Sequence, residues 1–337
     1  MSESPVYVLN ADGRDPEQSF ASGIGGAESS GHAPVNYHAY AACTGGCFFQ
    51  RTTKALGVSG PVILLARGDL RACVSALREL KASGRRVWIA CKEAGRHQVA
   101  ALLADRARFA RFRDAVHSAD GFLASTPWLV PFVRSLGAAR AEFVPTPYPL
   151  GEPGWDLSRP IAERAGIFVG TREFDVPSRN HLSAVISALA LGRAHGCGVT
   201  VFCVGGRSDR ALLREIEPDP DRLRLIEGKL PYAAYLRVMA GHRIVYQHDR
   251  SGVPGQVAGD ALLTGTPCVG GDGAVEGIAF PDLCGSGRDV AELEAIAGRL
   301  LGEDGSWGEA VDAAAGQAAA QVSFRAVAPH LRAVLGG

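Results

Sequence analysis

Residues 251–270 combine residue types and spacings that could bind a phosphate group. The segment begins with a loop that contains Gly252 and Gly255, continues with an amphipathic turn over Gln256–Leu263, and returns to an apolar run at Cys268. A glycine loop that opens a helix presents backbone N–H groups and the positive end of the helix dipole, which suits an anionic ligand. An ordinary loop–helix–strand unit of an α/β domain has the same pattern, so the segment alone leaves both interpretations open.

The composition narrows the function classes. The 337 residues include 35 basic and 35 acidic side chains, so no global charge would attract nucleic acid or an anionic membrane. No apolar run approaches the ~20 residues of a membrane span, and the first residues contain no apolar leader. The eight cysteines are scattered, which is typical of buried thiols in a reducing compartment rather than of a disulfide framework. We therefore expect a soluble, cytoplasmic protein.

Short apolar runs alternate with helical periodicity along the whole chain. The predicted strands lie at 6–9, 61–65, 87–90, 121–124, 141–144, 167–169, 199–204, 223–226 and 243–246. The predicted helices lie at 70–80, 98–117, 127–136, 181–194, 209–215 and 232–239, with a mostly helical tail at 290–335. This alternation predicts parallel sheets that helices cover on both faces.

A proline-rich segment divides the pattern. Residues 145–160 contain five prolines and two glycines, which is typical of a linker. The chain length also favours about two domains. We therefore predict an N-terminal domain over 1–150 and a C-terminal domain over 151–319, with a ligand cleft at the carboxyl ends of the strands. Closure about this hinge would exclude water from the cleft.

Six short motifs occur in a characteristic order between residues 119 and 337. They are ADGFLAST at 119–126, FVPTP at 143–147, FVGTR at 168–172, VFCVGG at 201–206, DALLTGTP at 260–267, and Ser323-Phe324 with the helix that follows. Together they resemble the landmarks of GT-B glycosyltransferases, most closely the retaining group 1 that includes glycogen synthases and sucrose-phosphate synthases. The resemblance implies two Rossmann-like domains whose parallel sheets face a central cleft, with a C-terminal helix at about 320–337 that crosses back to the first domain.

The resemblance also implies an activity. The protein would transfer a hexosyl or related group from a nucleotide-diphosphate sugar to a soluble small-molecule or peptide acceptor, with retention and without a cofactor or a metal ion. The N-terminal domain would bind the acceptor, and the C-terminal domain would bind the donor. Two alternatives remain open, namely a nucleotide-sugar epimerase or hydrolase of the same fold, and a non-catalytic protein that binds a sugar or a partner. The sequence leaves the sugar, the base, the acceptor and the oligomeric state undetermined.

Two arginines would meet the donor diphosphate according to the resemblance. Arg172 and Arg179 would stabilise the negative charge that develops on the leaving group, and the planar guanidinium can bind two phosphate oxygens at once. Asp260 would hold a ribose hydroxyl. The alternative is that both arginines are solvated loop residues. The backbone groups that would approach the same diphosphate belong to Gly170, Gly255, Gln256 and Val257.

Other parts of the donor site depart from the family or are weaker. The family carries two acidic residues eight positions apart, and Gly252 stands where the first would precede Asp260, so Asp249 or Arg250 could occupy that space. Leu230 lies in the loop that would hold the nucleobase. Gly25 and Gly26 belong to a glycine-rich loop that would approach the donor phosphate, although the helix expected after such a loop has no clean start here, so an ordinary loop is an equal alternative.

Candidate acceptor residues follow the predicted strand at 87–90. Glu93 or His97 could orient an acceptor hydroxyl or take its proton, although polar residues at strand ends are common in loops without such a role. In the mechanism implied by the family, the leaving phosphate can accept that proton instead. The spacing of His32, His38, Cys43 and Cys47 does not fit a zinc site, so no metal is expected.

Overall fold

The computed structural model describes residues 4–11, 13–170, 173–203 and 206–336. Contacts divide the chain into two compact units, and the chain passes from one to the other after Pro149 and again after Ala320. Each unit has its own β-sheet with helices around it. The predicted α/β class is therefore confirmed.

The described residues of the first unit form a seven-stranded sheet. Its strands are β1 (Tyr7–Leu9), β2 (Gln18–Ser19), β3 (Cys47–Phe49), β4 (Val62–Ala66), β5 (Val87–Cys91), β6 (Gly121–Ala124) and β7 (Ala141–Phe143). The order across the sheet is β2-β3-β1-β4-β5-β6-β7. All neighbouring strands are parallel except β2, which pairs antiparallel with β3.

Helices cover both faces of this sheet. They are α1 (Tyr37–Ala42), α2 (Thr52–Leu56), α3 (Arg71–Ala82), α4 (Arg96–Leu102), α5 (Arg106–Ser118), α6 (Leu129–Ser135) and, from the end of the chain, α14 (Phe324–Gly336). Along β4, Leu64 packs in one hydrophobic cluster with residues of α3 and α5, whereas Ile63 and Leu65 pack in another with residues of α1 and α14. Because successive strand residues point to opposite faces, an apolar strand buried on both sides requires this double cover.

The predicted helix over 98–117 is wrong as a single element. The structure has α4 and α5 instead, with a break at 103–105. Asp105 causes the break because its side chain accepts a hydrogen bond from the backbone N–H of Arg108 at 2.6 Å, and its backbone is extended. An N-cap residue with this geometry ends one helix and starts another.

The second unit has a five-stranded sheet in its described part. The strands are β8 (Ile167–Val169), β9 (Val199–Cys203), β10 (Leu223–Glu227), β11 (Ile244–Gln247) and β12 (Cys268–Gly270). They are all parallel, in the order β10-β9-β8-β11-β12. The strands predicted at 167–169, 223–226 and 243–246 are confirmed.

The helices of the second unit fill the connections between these strands and the segment after them. They are α7 (His181–His195), α8 (Arg207–Ile216), α9 (Tyr232–Ala240), α10 (Gln256–Leu263), α11 (Ala274–Ala279), α12 (Val290–Gly302) and α13 (Asp304–Gln321), with short 3₁₀ helices at Ile161–Glu163 and Pro177–Arg179. The predicted helices at 181–194 and 256–263 and the helical tail are confirmed. None of the described helices is long and apolar enough to cross a membrane.

Candidate functional site

In the sheet of the second unit, the strand order changes direction between β8 and β11. From β8 the chain adds β9 and β10 on one side, and from β11 it adds β12 on the other. In open α/β sheets, ligands bind outside the carboxyl ends of the strands at such a switch point. The residues that follow β8 and β11 are Gly170 and residues 248–250, so the candidate donor residues of this unit collect around the expected position.

Gly170 and Val257, both predicted donor residues, lie together at this edge. The backbone N–H of Gly170 donates to the carbonyl of Tyr246 at 3.0 Å. A Cβ atom at position 170 would lie 2.4 Å from Cγ1 of Val257. Such a contact is far inside van der Waals distance, so only glycine lets the end of β8 approach the first turn of α10 this closely.

Gly255 begins α10 in a left-handed conformation. Its φ is 95°, and a Cβ atom there would lie 2.2 Å from Oε2 of Glu276 and 2.9 Å from Val275. The first turn of the helix contains Gln256 and Val257, and first-turn N–H groups have no intrahelical carbonyl to bind. The helix dipole adds positive potential at the same end. The predicted backbone donors therefore occupy a glycine-lined helix start at the switch point.

Arg179 is already paired with two carboxylates. It ends the 3₁₀ helix Pro177–Arg179, and its side chain is only 15% exposed. Its Nε donates to Oε2 of Glu173 at 2.7 Å, and its Nη1 donates to Asp249. Burial acts to lower the pKa of Arg179, but the charges of Asp249 and Glu173 outweigh it and raise the pKa. Arg179 is thus a fixed, permanently charged group beside the ends of β8 and β11.

The residues around Gly252 hold the loop before α10 through carboxylates. Asp249 accepts from the backbone N–H of Ser251 at 2.8 Å, and Asp272 accepts from the N–H of Gly252 at 2.6 Å. Arg250 donates its Nη1 and Nη2 to the carbonyls of Gly285 and Arg288. The Arg250 side chain therefore ties this loop to residues 285–288. Arg172, the other predicted cation, lies outside the described residues.

Asp260 is almost completely buried on α10 and joins it to α9. Its carboxylate accepts a hydrogen bond of 2.5 Å from the hydroxyl of Tyr232, the first residue of α9. Leu230 lies two residues earlier, in the loop after β10, and is 37% exposed. The apolar Leu230 side chain and the acidic Asp260 side chain are thus placed by adjacent elements of the same unit.

Sequence reasoning missed Glu276, the most perturbed carboxyl of this region. Glu276 lies in the first turn of α11 and is fully buried; its Oε1 accepts from Nε2 of Gln247 at 2.9 Å. Its Oε2 has no hydrogen-bond partner among the described residues and faces Gly255 and Gly273. Burial, reinforced by the charges of Asp249 and Asp272, raises the pKa of Glu276 to about 7. The glycines at 270, 271 and 273 just before an acidic helix residue were the available signal.

The remaining predicted residues belong to the first unit. Gly25 has a positive φ of 62°, and the N–H of Ser29 bonds to the carbonyl of Gly26 at 3.0 Å. No helix follows this loop before α1 in the described chain. Glu93 is exposed after β5, with Oε1 3.9 Å from a guanidinium nitrogen of Arg67. His97 is half-buried on α4.

Two further observations bear on ligands. Among the described residues, no group of three or more His, Cys, Asp or Glu side chains is placed to hold a metal ion. A cavity of about 380 Å³ in the second unit is lined by Leu189, Arg193 and Glu217 and opens beside the start of β9. It therefore lies at the amino ends of the strands, away from the switch-point edge.

Comparison with known proteins identifies the fold. No family model and no curated protein matches the sequence. The structure of HepE from Anabaena in complex with UDP is similar, with a TM-score of 0.65 and 11% identity over 99% of this chain and 100% of that chain. An α-glucosyltransferase (AGT) in complex with UDP gives a TM-score of 0.59 and 11% identity over 86% of this chain and 84% of that one.

A third similar structure is longer than this chain. The GtfA/B complex gives a TM-score of 0.57 and 14% identity over 84% of this chain, but the match spans only 59% of that protein. These neighbours are glycosyltransferases of the GT-B fold, and the present chain has the same fold. The predicted fold class is confirmed.

Proposed function

We propose that the chain transfers a sugar from a nucleotide-diphosphate sugar to a soluble acceptor with retention of configuration, and that no cofactor takes part. The observation that carries the proposal is the glycine-lined start of α10 at the switch point of the second unit, where Gly170 and Gly255 let backbone approach closely. The GT-B fold and the UDP bound in two of the similar structures support it. The second unit would bind the donor, and the first unit would bind the acceptor.

Each part of the site has a role in this proposal. The first-turn N–H groups of Gln256 and Val257 would bind the diphosphate, and Asp260 would bind a ribose hydroxyl. In the transfer, the bond from the anomeric carbon to the diphosphate oxygen breaks and a bond to the acceptor oxygen forms. The proton of the acceptor hydroxyl passes to the departing phosphate, so no side-chain base is needed. Arg179 would stabilise the charge that accumulates on the diphosphate.

The ion pairs of Arg179 favour a second candidate, a non-catalytic binding protein. Asp249 and Glu173 together carry more negative charge than Arg179 can neutralise, and Gly252 supplies no carboxylate where the family has one. A donor diphosphate would have to compete with these carboxylates for the guanidinium. In a non-catalytic protein, this competition would only weaken the affinity for the diphosphate, because there is no leaving group whose charge Arg179 would have to stabilise.

Binding of nucleoside diphosphates tests the donor site directly. The melting temperature should rise with one of UDP, GDP, ADP, TDP or CDP, because a ligand specific for the folded state stabilises it by mass action. Arg179→Ala should reduce that affinity by about tenfold or more. The matched control is Arg193→Ala in the same unit, since Arg193 also pairs with a carboxylate, that of Glu217 at 2.8 Å. If no diphosphate raises the melting temperature, the proposed donor site is refuted.

A product assay then separates the candidate activities. Incubation of the matching nucleotide sugar with an acceptor panel should give a glycosylated product and the free nucleoside diphosphate. Release of the diphosphate with free sugar and no acceptor product would indicate a hydrolase. Diphosphate binding without consumption of the nucleotide sugar would instead favour the non-catalytic protein.

A further inference from the structure

The carboxyl group of Glu276 lies against the glycine-lined start of α10. A Cβ atom at Gly255 would lie 2.2 Å from Oε2 of Glu276, and so would a Cβ atom at Gly273. A Cβ atom at Gly271 would lie 3.2 Å from Cγ of the same side chain. The Glu276 side chain therefore fills the space that these three glycines leave open, next to the backbone where the donor diphosphate is proposed to bind.

The two carboxyl oxygens of Glu276 have different surroundings. Oε1 accepts a hydrogen bond of 2.9 Å from Nε2 of Gln247, the last residue of β11. Oε2 has no hydrogen-bond partner among the described residues, and only 1% of Glu276 is exposed. An ionised carboxylate with a buried oxygen that lacks a donor is costly, whereas the protonated group is neutral. The geometry therefore favours a proton on Oε2.

The charged and titratable groups around Glu276 act in the same direction. Asp249 lies just after β11 and Asp272 just before α11, and both carboxylates disfavour a further negative charge, although Arg179 pairs with Asp249. The thiol of Cys268 on β12 stays uncharged, because burial holds its pKa well above the usual range. Burial first, and then the two carboxylates, raise the pKa of Glu276 to about 7. The hydrogen bond to Oε1 opposes this shift without cancelling it.

An anion at the start of α10 would strengthen this preference for the protonated form. The diphosphate of a nucleotide sugar is negatively charged, and a carboxylate beside the same glycine would repel it. A protonated Glu276 removes that repulsion. Because the charged form opposes the ligand, the pKa of Glu276 is higher in the bound state, and binding and protonation favour each other.

We propose that Glu276 links donor binding to protonation, so that the chain binds a nucleotide sugar when Oε2 carries a proton and resists binding it when Oε2 is ionised. Above neutral pH, each bound donor brings a proton from the buffer to Oε2, and release of the donor returns that proton. Glu276 acts through the charge that it places beside Gly255, not through contact with the donor, and is thus a positioning residue. The inference rests on the proposed donor site at the start of α10.

Calorimetric titration of a nucleotide sugar at pH 6, pH 7 and pH 8 and constant ionic strength tests the proposal. The probe is UDP-glucose, or the glucose ester of GDP, ADP, TDP or CDP if the melting-temperature screen selects that base. The diphosphate of such a diester does not titrate in this range, whereas a terminal phosphate does, with a pKa of about 6. Wild-type affinity should fall by about tenfold from pH 6 to pH 8, because the folded chain loses the proton of Glu276 through a pKa of about 7.

A neutral variant should bind better at high pH. Glu276→Gln keeps the shape of the side chain without its charge, so its affinity should be the same at all three pH values. At pH 8 it should bind about tenfold more tightly than the wild type. Damage to the fold cannot produce such a gain. Glu217→Gln is the matched control and should keep the wild-type pH dependence, because Glu217 is also buried in the second unit but pairs with Arg193 beside the cavity at the amino ends of the strands.

The number of protons taken up separates a linked proton from a structural role. The titration is repeated at pH 8 in HEPES and in Tris, whose ionisation enthalpies differ, so the difference in heat gives the protons bound per donor. The wild type and Glu217→Gln should take up about one proton more than Glu276→Gln. A residue that only shapes the loop would change the affinity without changing this count. The count also decides without the variant, since wild-type binding at pH 8 requires proton uptake.

The role of Glu276 and the donor site can fail separately. Equal wild-type affinity at pH 6 and pH 8, or wild-type binding at pH 8 without proton uptake, would overturn the role of Glu276 and leave the donor site intact. The same conclusion would follow if Glu276→Gln kept the wild-type pH dependence. If no nucleotide sugar and no nucleoside diphosphate bound at any of these pH values, the donor site would be refuted, and the role of Glu276 with it.

Discussion

The two units use the same sheet edge in different ways. At the switch point of the first unit, charged side chains gather, and Arg67 and Lys92 share the carboxylate of Asp15. At the switch point of the second unit, Gly170 and Gly255 bring backbone close, and the perturbed side chain there is the uncompensated carboxyl of Glu276. A parallel sheet fixes where a ligand binds, but the chemistry of the edge depends on whether side chains or backbone groups occupy it.

This difference has an electrostatic consequence. The first unit lowers the pKa of its central acid, Asp15, whereas the second raises that of Glu276. A lowered carboxyl pKa stabilises the fold at neutral pH, and a raised one destabilises it there. The two edges should therefore respond oppositely when their acids are neutralised.

The largest expected effect is on the pH dependence of stability at Glu276. Between pH 4.5 and about 7, the folded chain holds a proton that the unfolded chain has released, because the pKa of Glu276 is raised from 4.5 to about 7. Stability should fall as pH rises through this window, by roughly 3 kcal/mol in total from this group. Glu276→Gln should remove that fall, so its stability relative to the wild type increases from pH 5 to pH 8.

Chemical denaturation at several pH values measures this effect. Glu309→Gln is the control, since Glu309 is exposed on α13. A wild-type stability curve with the same slope as that of Glu276→Gln over this window would show that Glu276 does not hold a proton in the folded chain. The two sheet edges would then no longer differ in the direction in which each shifts the pKa of its acid.

The next effect concerns the backbone approach at Gly255. Gly255→Ala places a Cβ atom where Glu276 and Val275 already lie, and it does so at a φ of 95° that side chains rarely adopt. We expect a loss of about 2 kcal/mol of stability and a loss of nucleoside-diphosphate binding. Gly277→Ala is the matched control, because a Cβ atom there meets nothing within 4 Å.

Calorimetric titration and thermal unfolding separate the two parts of this prediction. The Gly277→Ala variant should bind the diphosphate as the wild type does. Unchanged binding in Gly255→Ala would mean that the start of α10 is not the phosphate site, and the comparison between a backbone edge and a side-chain edge would fail.

The sequence was sufficient for elements with strong local signals. The helix Gln256–Leu263 was predicted with its observed bounds because Gly255 precedes it, Gly265 follows it and its apolar residues have helical spacing. Strands such as Ile167–Val169 are continuous apolar runs between turn residues, and they too were found. Such signals come from residues that are close in the sequence, so these elements can be predicted without knowledge of the tertiary structure.

The sequence was insufficient where tertiary contacts decide the structure. The strand Gln18–Ser19 has two residues and exists through its pairing with Cys47–Phe49, and no periodicity can reveal it. The break at Asp105 depends on a single cap. Helical periodicity continued across that position, so the prediction of one helix was wrong.

The site residues show the same division. Glycines and arginines of the donor loops were selected because the resemblance placed them, and their roles stay predictions. Glu276 was missed because its burial comes from Gln247 and Gly255 on other elements. Glu93 and His97 directed attention to the segment after β5, but the residue of that segment that meets Asp15 is Lys92, through a loop that is distant in sequence.

The smallest expected effect is at Asp15, and its direction completes the comparison. Asp15→Asn should lower stability by about 1 kcal/mol at neutral pH, because the lowered pKa of Asp15 reports a net favourable interaction of its charge with Lys92 and Arg67. That contribution is present above the unfolded pKa of 3.8 and disappears as pH falls through the folded value, so wild type and variant should converge in acid. The sign is opposite to that for Glu276→Gln. Denaturation at pH 4 and pH 8 measures the effect for Glu276→Gln, and denaturation at about pH 2 and pH 8 measures it for Asp15→Asn. If Asp15→Asn were instead more stable than the wild type at pH 8, the charge of Asp15 would destabilise the fold, as the charge of Glu276 is expected to do. The two sheet edges would then not differ in how the charge of their acid affects stability.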